Sequence, residues 1–142
     1  MIIIDTHIWI WWVTNSPRLN KEHRIFLEKQ KAGTIALNCI SCWEVAKSVE
    51  LGKLQFNISV EQWLNDAINL YNINLLPLDI PVIIESTQLP GNFHKDPADQ
   101  LIVATARTLD IPLLTEDSKI LNYAFVKLFG RKKRGLKNIR SI

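Results

Sequence analysis

The segment HKDPADQLIVATA, residues 94–106, places two aspartates at the start of a stretch that is otherwise largely apolar. Asp96 and Asp99 flank a proline and an alanine there, and the residues that follow have the composition of a buried helix. Two like charges beside a buried segment need a physical reason. They either stabilise the N-terminus of the helix or are held in place for chemistry.

Three more acids stand where an apolar segment begins or ends. Asp5 closes the aliphatic run IIID, Asp117 follows the run PLLT, and Glu44 lies in the first turn of a predicted helix. Parallel sheets bind ligands in the crevice at the carboxyl ends of their strands. The sequence therefore predicts that acids from four separate places reach one crevice: Asp5, Glu44, Asp99 and Asp117.

Carboxylates that converge in one crevice repel each other, and one of them takes up a proton unless a cation is present. Mg²⁺ and Mn²⁺ prefer oxygen ligands, keep several waters and need only a few carboxylates. An ion of this kind lowers the pKa of a bound water, orients a phosphate and shields the charge that develops on it. The pattern therefore favours hydrolysis of phosphodiesters.

Helix capping is a simpler explanation for each acid taken alone. Ser41 and Glu44 have the spacing of a capping box, and Asp96 precedes a proline at the first helical position. The two remaining acids also precede predicted helices: Asp5 and Asp117. The helix dipole favours each acid by roughly 0.3–1 kcal/mol. We take Asp99 as the acid that faces the metal and Asp96 chiefly as an N-cap.

The elements that must position these acids alternate between strands and helices. Apolar runs predict strands at residues 1–5, 34–38, 73–78 and 112–115, with 124–128 as a candidate last strand. Helical spacing predicts helices at 6–14, 20–31, 41–53, 59–71, 80–88, 96–110 and 117–122. The strands are apolar on both faces, which indicates an α/β sandwich with a mainly parallel sheet.

The composition indicates one domain with a basic end. The chain has 142 residues, of which 47% are hydrophobic and 22% charged, enough to build a buried core. Much of the net charge of +3 comes from the run GRKKRG near the end. We therefore predict a domain at residues 1–129 and a basic C-terminal tail at residues 130–142.

Neither a signal peptide nor a membrane-spanning run is apparent, so we expect a soluble, cytoplasmic protein without a membrane partner. Cys39 and Cys42 form a CxxC pair. We interpret them as small buried side chains beside a strand-to-helix turn, with a redox dithiol or half a zinc site as alternatives.

Four short motifs in order resemble those of one enzyme family. They are DTH with the following WW, CWEVA followed by LGKL, LP followed by HKDPAD, and LLTED. They closely resemble the PIN-domain ribonucleases, and within them the VapC-type toxins of toxin–antitoxin pairs, over about residues 1 to 128. The resemblance implies a PIN-like three-layer α/β/α sandwich and an endoribonuclease that depends on Mg²⁺ or Mn²⁺.

The resemblance also assigns roles to residues. The implied metal-binding and catalytic acids are Asp5, Glu44, Asp99 and Asp117. Asp96 matches a second acid common in this subgroup and is a further candidate ligand, and Thr6 and Thr115 match supporting positions. The family usually has an aromatic residue and an arginine where this chain has Ala98 and Gln100. If that arginine binds phosphate, this chain must use another cation.

The implied mechanism is attack of metal-bound water on a phosphate, with Asp99 or Glu44 orienting the water or taking its proton. We interpret His94 as a loop residue that orders the helix entrance, with a phosphate contact or an acid as the alternative. His7 is interpreted as packed beside the first strand rather than as a metal ligand.

The implied partners are an RNA substrate, a second copy of the chain in a homodimer, and a cognate VapB-type antitoxin that directs a basic side chain into the acidic site. Trp9, Trp11 and Trp12 cannot all face one side of a helix, so at least one is expected at a surface suited to partner contacts. The basic tail is interpreted as an end that helps to hold RNA, with antitoxin contact or a disordered end as alternatives.

Other functions remain open at this point. In a non-catalytic RNA-binding module the acids would only cap helices, which predicts indifference to Asp99→Asn and no metal dependence. A structure-specific DNA nuclease of related fold is a second alternative. Phosphotransfer through Asp5 agrees less well with the sequence, because dehalogenase-like proteins have a second Asp where His7 stands here.

Overall fold

The computed structural model describes residues 1–130. The predicted basic tail lies outside the described residues from position 131 onward. The strands are β1 (Ile2–Ile4), β2 (Ile35–Asn38), β3 (Asn74–Leu76) and β4 (Leu113–Leu114). The helices are α1 (Thr6–Val13), α2 (Lys21–Glu28), α3 (Ile40–Glu50), α4 (Val60–Asn69), α5 (Ile80–Ser86), α6 (Pro97–Leu109) and α7 (Ser118–Leu121).

The four strands form one sheet in the order β3-β2-β1-β4, and every pairing is parallel. The chain runs outward from β1 through β2 to β3 and then returns to the other side of β1 as β4. The strand order therefore reverses at β1, and sheets of this kind bind ligands at such a reversal, beside the carboxyl ends of the strands.

Helices cover both faces of the sheet. Successive strand residues point to opposite faces, so Ile2 and Ile4 of β1 lie in one core cluster and Ile3 lies in the other. The first cluster contains Trp9 of α1 with residues of α3 and α4, and the second contains Ile102 of α6 with residues of α7. The predicted α/β/α sandwich with a parallel sheet is confirmed.

The candidate last strand at residues 124–128 is wrong. Ala124 and Phe125 lie in a turn, and only Leu128 pairs with β4, through an isolated parallel bridge to Leu113. The edge strand β4 has only two residues, so it offers little backbone for another strand to pair with. The other predicted elements are confirmed in type and order, and their ends differ by at most three residues from the prediction.

Within residues 1–130, no helix is both long enough and apolar enough to cross a membrane.

Candidate metal centre

The acids predicted from the sequence meet at the carboxyl edge of the sheet. Asp5 follows β1 directly, and Asp117 is the N-cap of α7 beyond the end of β4. Glu44 lies in α3, which starts just after β2, and Asp99 lies in the first turn of α6. Helices α3 and α6 also pack against each other. The fold thus brings acids from four segments to one edge of the sheet.

Asp5 is held through both carboxylate oxygens. Its Oδ1 accepts a hydrogen bond from the backbone N–H of Thr6 at 2.8 Å, which caps α1. Its Oδ2 accepts a hydrogen bond from Thr115 Oγ1 at 2.6 Å. Only 3% of Asp5 is exposed. A buried carboxylate at the end of the central strand thus has one fixed orientation.

Glu44 is tied to the first helix by a chain of hydroxyl groups. Thr6 Oγ1 donates to Glu44 Oε1 and lies 2.7 Å from Ser41 Oγ. Because the Thr6 proton goes to Glu44, Ser41 must donate to Thr6. The predicted capping box of Ser41 and Glu44 is therefore wrong. The N-cap of α3 is Cys39, without a side-chain cap, and Ser41 is a buried residue inside the helix.

The mouth of α6 confirms the capping role predicted for Asp96. Its Oδ1 accepts hydrogen bonds from the backbone N–H groups of Ala98 and Asp99, at 2.9 and 3.4 Å. His94 lies across the same mouth, with Nε2 at 3.0 Å from Asp99 Oδ2 but without hydrogen-bond alignment. Gln100 donates from Nε2 to the carbonyl of His94 at 3.0 Å. The backbone N–H of Asp96 donates to His94 Nδ1 at 3.4 Å, so the ring contacts the helix entrance. Its role there, and the alternative of a phosphate contact or an acid, stay predictions.

The electrostatics show that the five acids interact. The pKa of Asp99 is raised from 3.8 to about 8, first by burial and then by four neighbouring carboxylates, those of Asp5, Asp96, Asp117 and Glu44. Burial also raises the pKa of Glu44, and the Thr6 hydrogen bond opposes that shift while the charges of Asp5 and Asp96 add to it. Without a cation, the crevice therefore favours a proton on Asp99 at neutral pH.

The donor set suits a hard divalent cation. Within residues 1–130, no three His, Cys, Asp or Glu side chains are gathered closely enough to bind one ion directly. Mg²⁺ does not require such a cluster, because it keeps several waters and takes one or two carboxylates. An array of carboxylates with a proton shared among them offers the charge and the oxygen atoms that Mg²⁺ or Mn²⁺ binds.

Two buried side chains support the site in ways that the sequence did not predict: Asn38 was not a candidate, and Ser41 was expected to form a capping box. Asn38, at the end of β2, is fully buried, donates to Thr105 Oγ1 of α6 at 2.7 Å and accepts from the backbone N–H of Ile40. It thereby links the start of α3 to α6. Ser41 extends the hydroxyl chain to Glu44 as described above. A lone Asn or Ser gives no local sequence signal for such contacts.

Other predicted features have simple structural outcomes. Cys39 and Cys42 are free and half-buried, and burial, followed by the nearby Cys39, raises the pKa of the Cys42 thiol. A raised pKa disfavours the reactive thiolate.

The tryptophans differ in burial. Trp9 and Trp12 are buried, Trp11 is half-buried with Arg18 over its ring, and Trp43 is 57% exposed.

Together these features define a class of protein: an α/β/α sandwich whose parallel sheet carries a carboxylate-lined crevice at the point where its strand order reverses. The chain belongs to the PIN domain family, since the family's sequence model matches residues 2–126. It is also 30% identical over 123 residues to ribonuclease VapC22 of Mycobacterium tuberculosis (strain ATCC 25618 / H37Rv), and this match covers 86% of the chain and 91% of that protein.

Solved structures of related fold agree with this assignment. The crystal structure of FitAcB from Neisseria gonorrhoeae matches with a TM-score of 0.68 and 24% identity, covering 92% of this chain and 97% of that one. A toxin–antitoxin complex from Klebsiella pneumoniae matches with a TM-score of 0.60 and 20% identity, covering 86% and 91% of the two chains. The predicted family and fold are confirmed.

Proposed function

We propose that this protein is a metal-dependent endoribonuclease, the toxin of a VapBC-type toxin–antitoxin pair, that hydrolyses RNA phosphodiesters at the carboxylate crevice. The observation that carries the proposal is the crowding of four carboxylates around the buried Asp99. Burial first, and then these four charges, raise its pKa to about 8, and a cation in the crevice would relieve both effects. Identity of 30% to ribonuclease VapC22 supports RNA as the substrate.

We propose that the metal is held by Asp5, Glu44, Asp99 and Asp117, with Asp96 as a further candidate, one or two of them directly and the others through its bound waters. A bound Mg²⁺ or Mn²⁺ would neutralise these carboxylates and polarise a phosphate oxygen. Thr6 and Thr115 are the supporting hydroxyls, because each donates to one of the acids and fixes the direction in which the free lone pairs point.

The proton transfer is assigned to Glu44. A carboxylate within reach of the attacking water can act as its general base. Thr6 holds Glu44 through Oε1, so the second oxygen is free to orient the water and accept its proton. As the water oxygen attacks phosphorus, the bond to the leaving oxygen of the RNA chain breaks. That oxygen takes up a proton from bulk water, and Glu44 returns the proton it accepted to bulk water.

This chain has Gln100 where the family usually has an arginine, and this difference affects how phosphate is bound. The Gln100 amide donates to the His94 carbonyl, so in this chain that position orders the loop in front of α6 instead of supplying a cation. We assign the task of neutralising the scissile phosphate to the metal ion, with the basic tail as a further source of positive charge for the RNA backbone.

The proposed partners follow from the relatives. Because one related structure is a toxin–antitoxin complex, we propose that a cognate VapB-type antitoxin binds this chain and inhibits it in the cytoplasm. A homodimer is also proposed. The exposed Trp43 and the half-buried Trp11 are the aromatic residues that such contacts would use.

Cleavage of a total RNA pool by the purified protein, free of antitoxin, tests the proposal. The reactions would contain Mg²⁺ or Mn²⁺, or EDTA, and would compare the wild type with Asp5→Ala, Asp99→Asn and the control Glu28→Gln, an exposed acid of α2. We expect discrete fragments that require the ion, persist in the control and vanish in the other two variants. RNA binding without cleavage, unaffected by Asp99→Asn and by EDTA, would instead indicate a non-catalytic module. Cleavage of structured DNA alone would indicate a DNA nuclease.

A further inference from the structure

His7 connects two parts of the acidic site, although the sequence predicted only that it packs beside β1. Its Nε2 accepts a hydrogen bond from the backbone N–H of Glu116 at 3.0 Å. A ring nitrogen that accepts a hydrogen bond carries no proton, so the neutral imidazole has its proton on Nδ1. That Nδ1 lies 3.5 Å from Asp5 Oδ2.

A second connection runs parallel to the first. The backbone N–H of Asp117 donates to Thr115 Oγ1 at 3.0 Å, and the same hydroxyl donates to Asp5 Oδ2 at 2.6 Å. The Asp117 amide is thus tied to Asp5 Oδ2 by two hydrogen bonds through Thr115. The Glu116 amide reaches the same oxygen through one hydrogen bond to His7 and the 3.5 Å polar contact of Nδ1, which is not an aligned hydrogen bond. Both connections hold the Asp117 segment against Asp5.

On one side the segment is not backed by tight packing. A cleft of about 400 Å³ lies on the side of α2, lined in part by His23, Thr115, Glu116 and Phe129. His23 reaches this segment only through the side chain of Glu116, with Nδ1 at 3.3 Å from Oε1. Because the cleft lies beside Glu116, the hydrogen bond to its backbone N–H adds to the packing of the buried Thr115 in fixing this segment. The His7 ring itself packs against Trp11, with ring centroids 4.9 Å apart.

We propose that His7 is a positioning residue for the metal site: through its two ring nitrogens it holds the Glu116 amide beside Asp5 and so fixes the place of Asp117 relative to Asp5. The inference rests on the proposed function, because the metal site is part of that proposal. His7 touches neither metal nor RNA in this assignment and acts through Asp5 and Asp117.

The protonation of the His7 ring gives a test that needs no activity. A long-range ¹H–¹⁵N spectrum of the metal-free protein should show His7 protonated on Nδ1 and bare on Nε2, because Nε2 accepts the hydrogen bond from Glu116. A proton on Nε2, in either the other tautomer or the imidazolium form, would overturn the proposal, because Nε2 could not then accept from Glu116.

Substitutions separate the two contacts. In His7→Gln the amide oxygen can take the place of Nε2, whereas in His7→Asn the amide stands at the place of Nδ1 and cannot reach Glu116. We expect amide hydrogen exchange at Glu116 to accelerate roughly 2- to 12-fold in His7→Asn and His7→Ala, the effect of losing one hydrogen bond. It should stay close to wild type in His7→Gln. The matched control His23→Gln, which alters the contacts with the Glu116 side chain and the Phe129 ring but none with the Glu116 backbone, should leave this exchange unchanged.

Binding of Mn²⁺ alone, followed by the electron paramagnetic resonance of the free ion, connects the contacts to the site. Loss of residues that orient metal ligands typically weakens metal binding about 10- to 100-fold, and we expect this for His7→Ala with substantial recovery in His7→Gln. Equal Mn²⁺ affinity in wild type and His7→Ala, both folded, would overturn the proposal. A wild type that binds no Mn²⁺ would instead refute the proposed metal site, while the spectrum and the exchange rates would still decide whether His7 holds the segment.

Discussion

Replacing Asp99 with asparagine should stabilise the metal-free protein at neutral and higher pH while it abolishes cleavage. Burial and four neighbouring carboxylates disfavour the ionised form of Asp99 and raise its pKa from 3.8 to about 8. Asparagine has nearly the same shape and no charge, so it removes this unfavourable interaction. Stability and activity should therefore change in opposite directions, as expected for an acid that is held in place for a metal ion.

The magnitude follows from the shift in pKa. Each pKa unit is worth about 1.36 kcal/mol. The span from the unfolded-state pKa of 3.8 to about pH 7 therefore limits the stabilisation by Asp99→Asn to about 4 kcal/mol. The Asp99 side chain is 14% exposed, and screening by water lowers that ceiling. We expect a net gain of about 1–3 kcal/mol in the free energy of unfolding.

The sign of the pH dependence is fixed by linkage. Because the folded-state pKa of Asp99 is raised, the folded protein binds more protons than the unfolded chain between pH 3.8 and about 8. The contribution of Asp99 to stability is therefore fully present below the unfolded pKa and is lost as pH rises through the folded pKa. The advantage of Asp99→Asn should be absent near pH 4 and should grow towards pH 8.

Urea unfolding in EDTA across this pH range measures the effect, with Glu28→Gln as the control for removing an exposed acid outside the crevice. A constant difference between Asp99→Asn and wild type at all pH values would refute the linkage argument. A variant less stable than wild type near pH 8 would show that the charges around Asp99 do not repel it as argued. Added Mn²⁺ should stabilise the wild type and leave the variant nearly unchanged.

Three further predictions test other parts of the site. Since Asp99 is largely protonated at neutral pH, Mn²⁺ binding should release about one proton at neutral pH and fewer protons above about pH 9. Calorimetry in buffers of different ionisation enthalpy measures the number of protons released. No release at neutral pH would contradict the pKa assignment. Thr6→Val removes the hydrogen bond that opposes the raised pKa of Glu44, so the Glu44 pKa should rise further and the protein should lose about 1 kcal/mol of stability. Thr6→Ser should restore both. NMR titration of Glu44 follows the pKa, and urea unfolding follows the stability. Asn38→Ala should cost about 1–3 kcal/mol because a buried partner is left unsatisfied, and a double-mutant cycle with Thr105→Val that shows no coupling would argue against the contact.

The fold could be predicted largely from local pattern. Strands buried on both faces read as continuous apolar runs, and the segments IIID and PLLT were recognisable for that reason. The segment AFVKL, residues 124–128, has the same composition but forms no strand. Its pairing depends on the two-residue edge strand β4, and the length of a neighbouring strand is not encoded in the segment itself.

The acids of the candidate site could be found from the sequence because each stands at the end of an element, but their hydrogen-bond partners could not. The capping box at Ser41 matched a local pattern, yet the Ser41 hydroxyl contacts Thr6, 35 residues away in the chain. The contacts of Asn38 with Thr105 and of His7 with Glu116 span 67 and 109 residues. Such contacts arise only when the helices are packed, so the residues appear unremarkable before that.

Capping and metal binding need not compete for these acids, although the sequence presents them as alternatives. Each cap in the structure uses one carboxylate oxygen: Oδ1 of Asp5, of Asp96 and of Asp117 accepts from the backbone at the start of α1, α6 and α7. A carboxylate has a second oxygen, and the cap fixes the direction in which that oxygen points. The helix N-terminus also favours the charged form, which is the form a metal requires. Capping therefore prepares an acid for a cation, and it explains why a chain would gather acids at helix starts around one crevice.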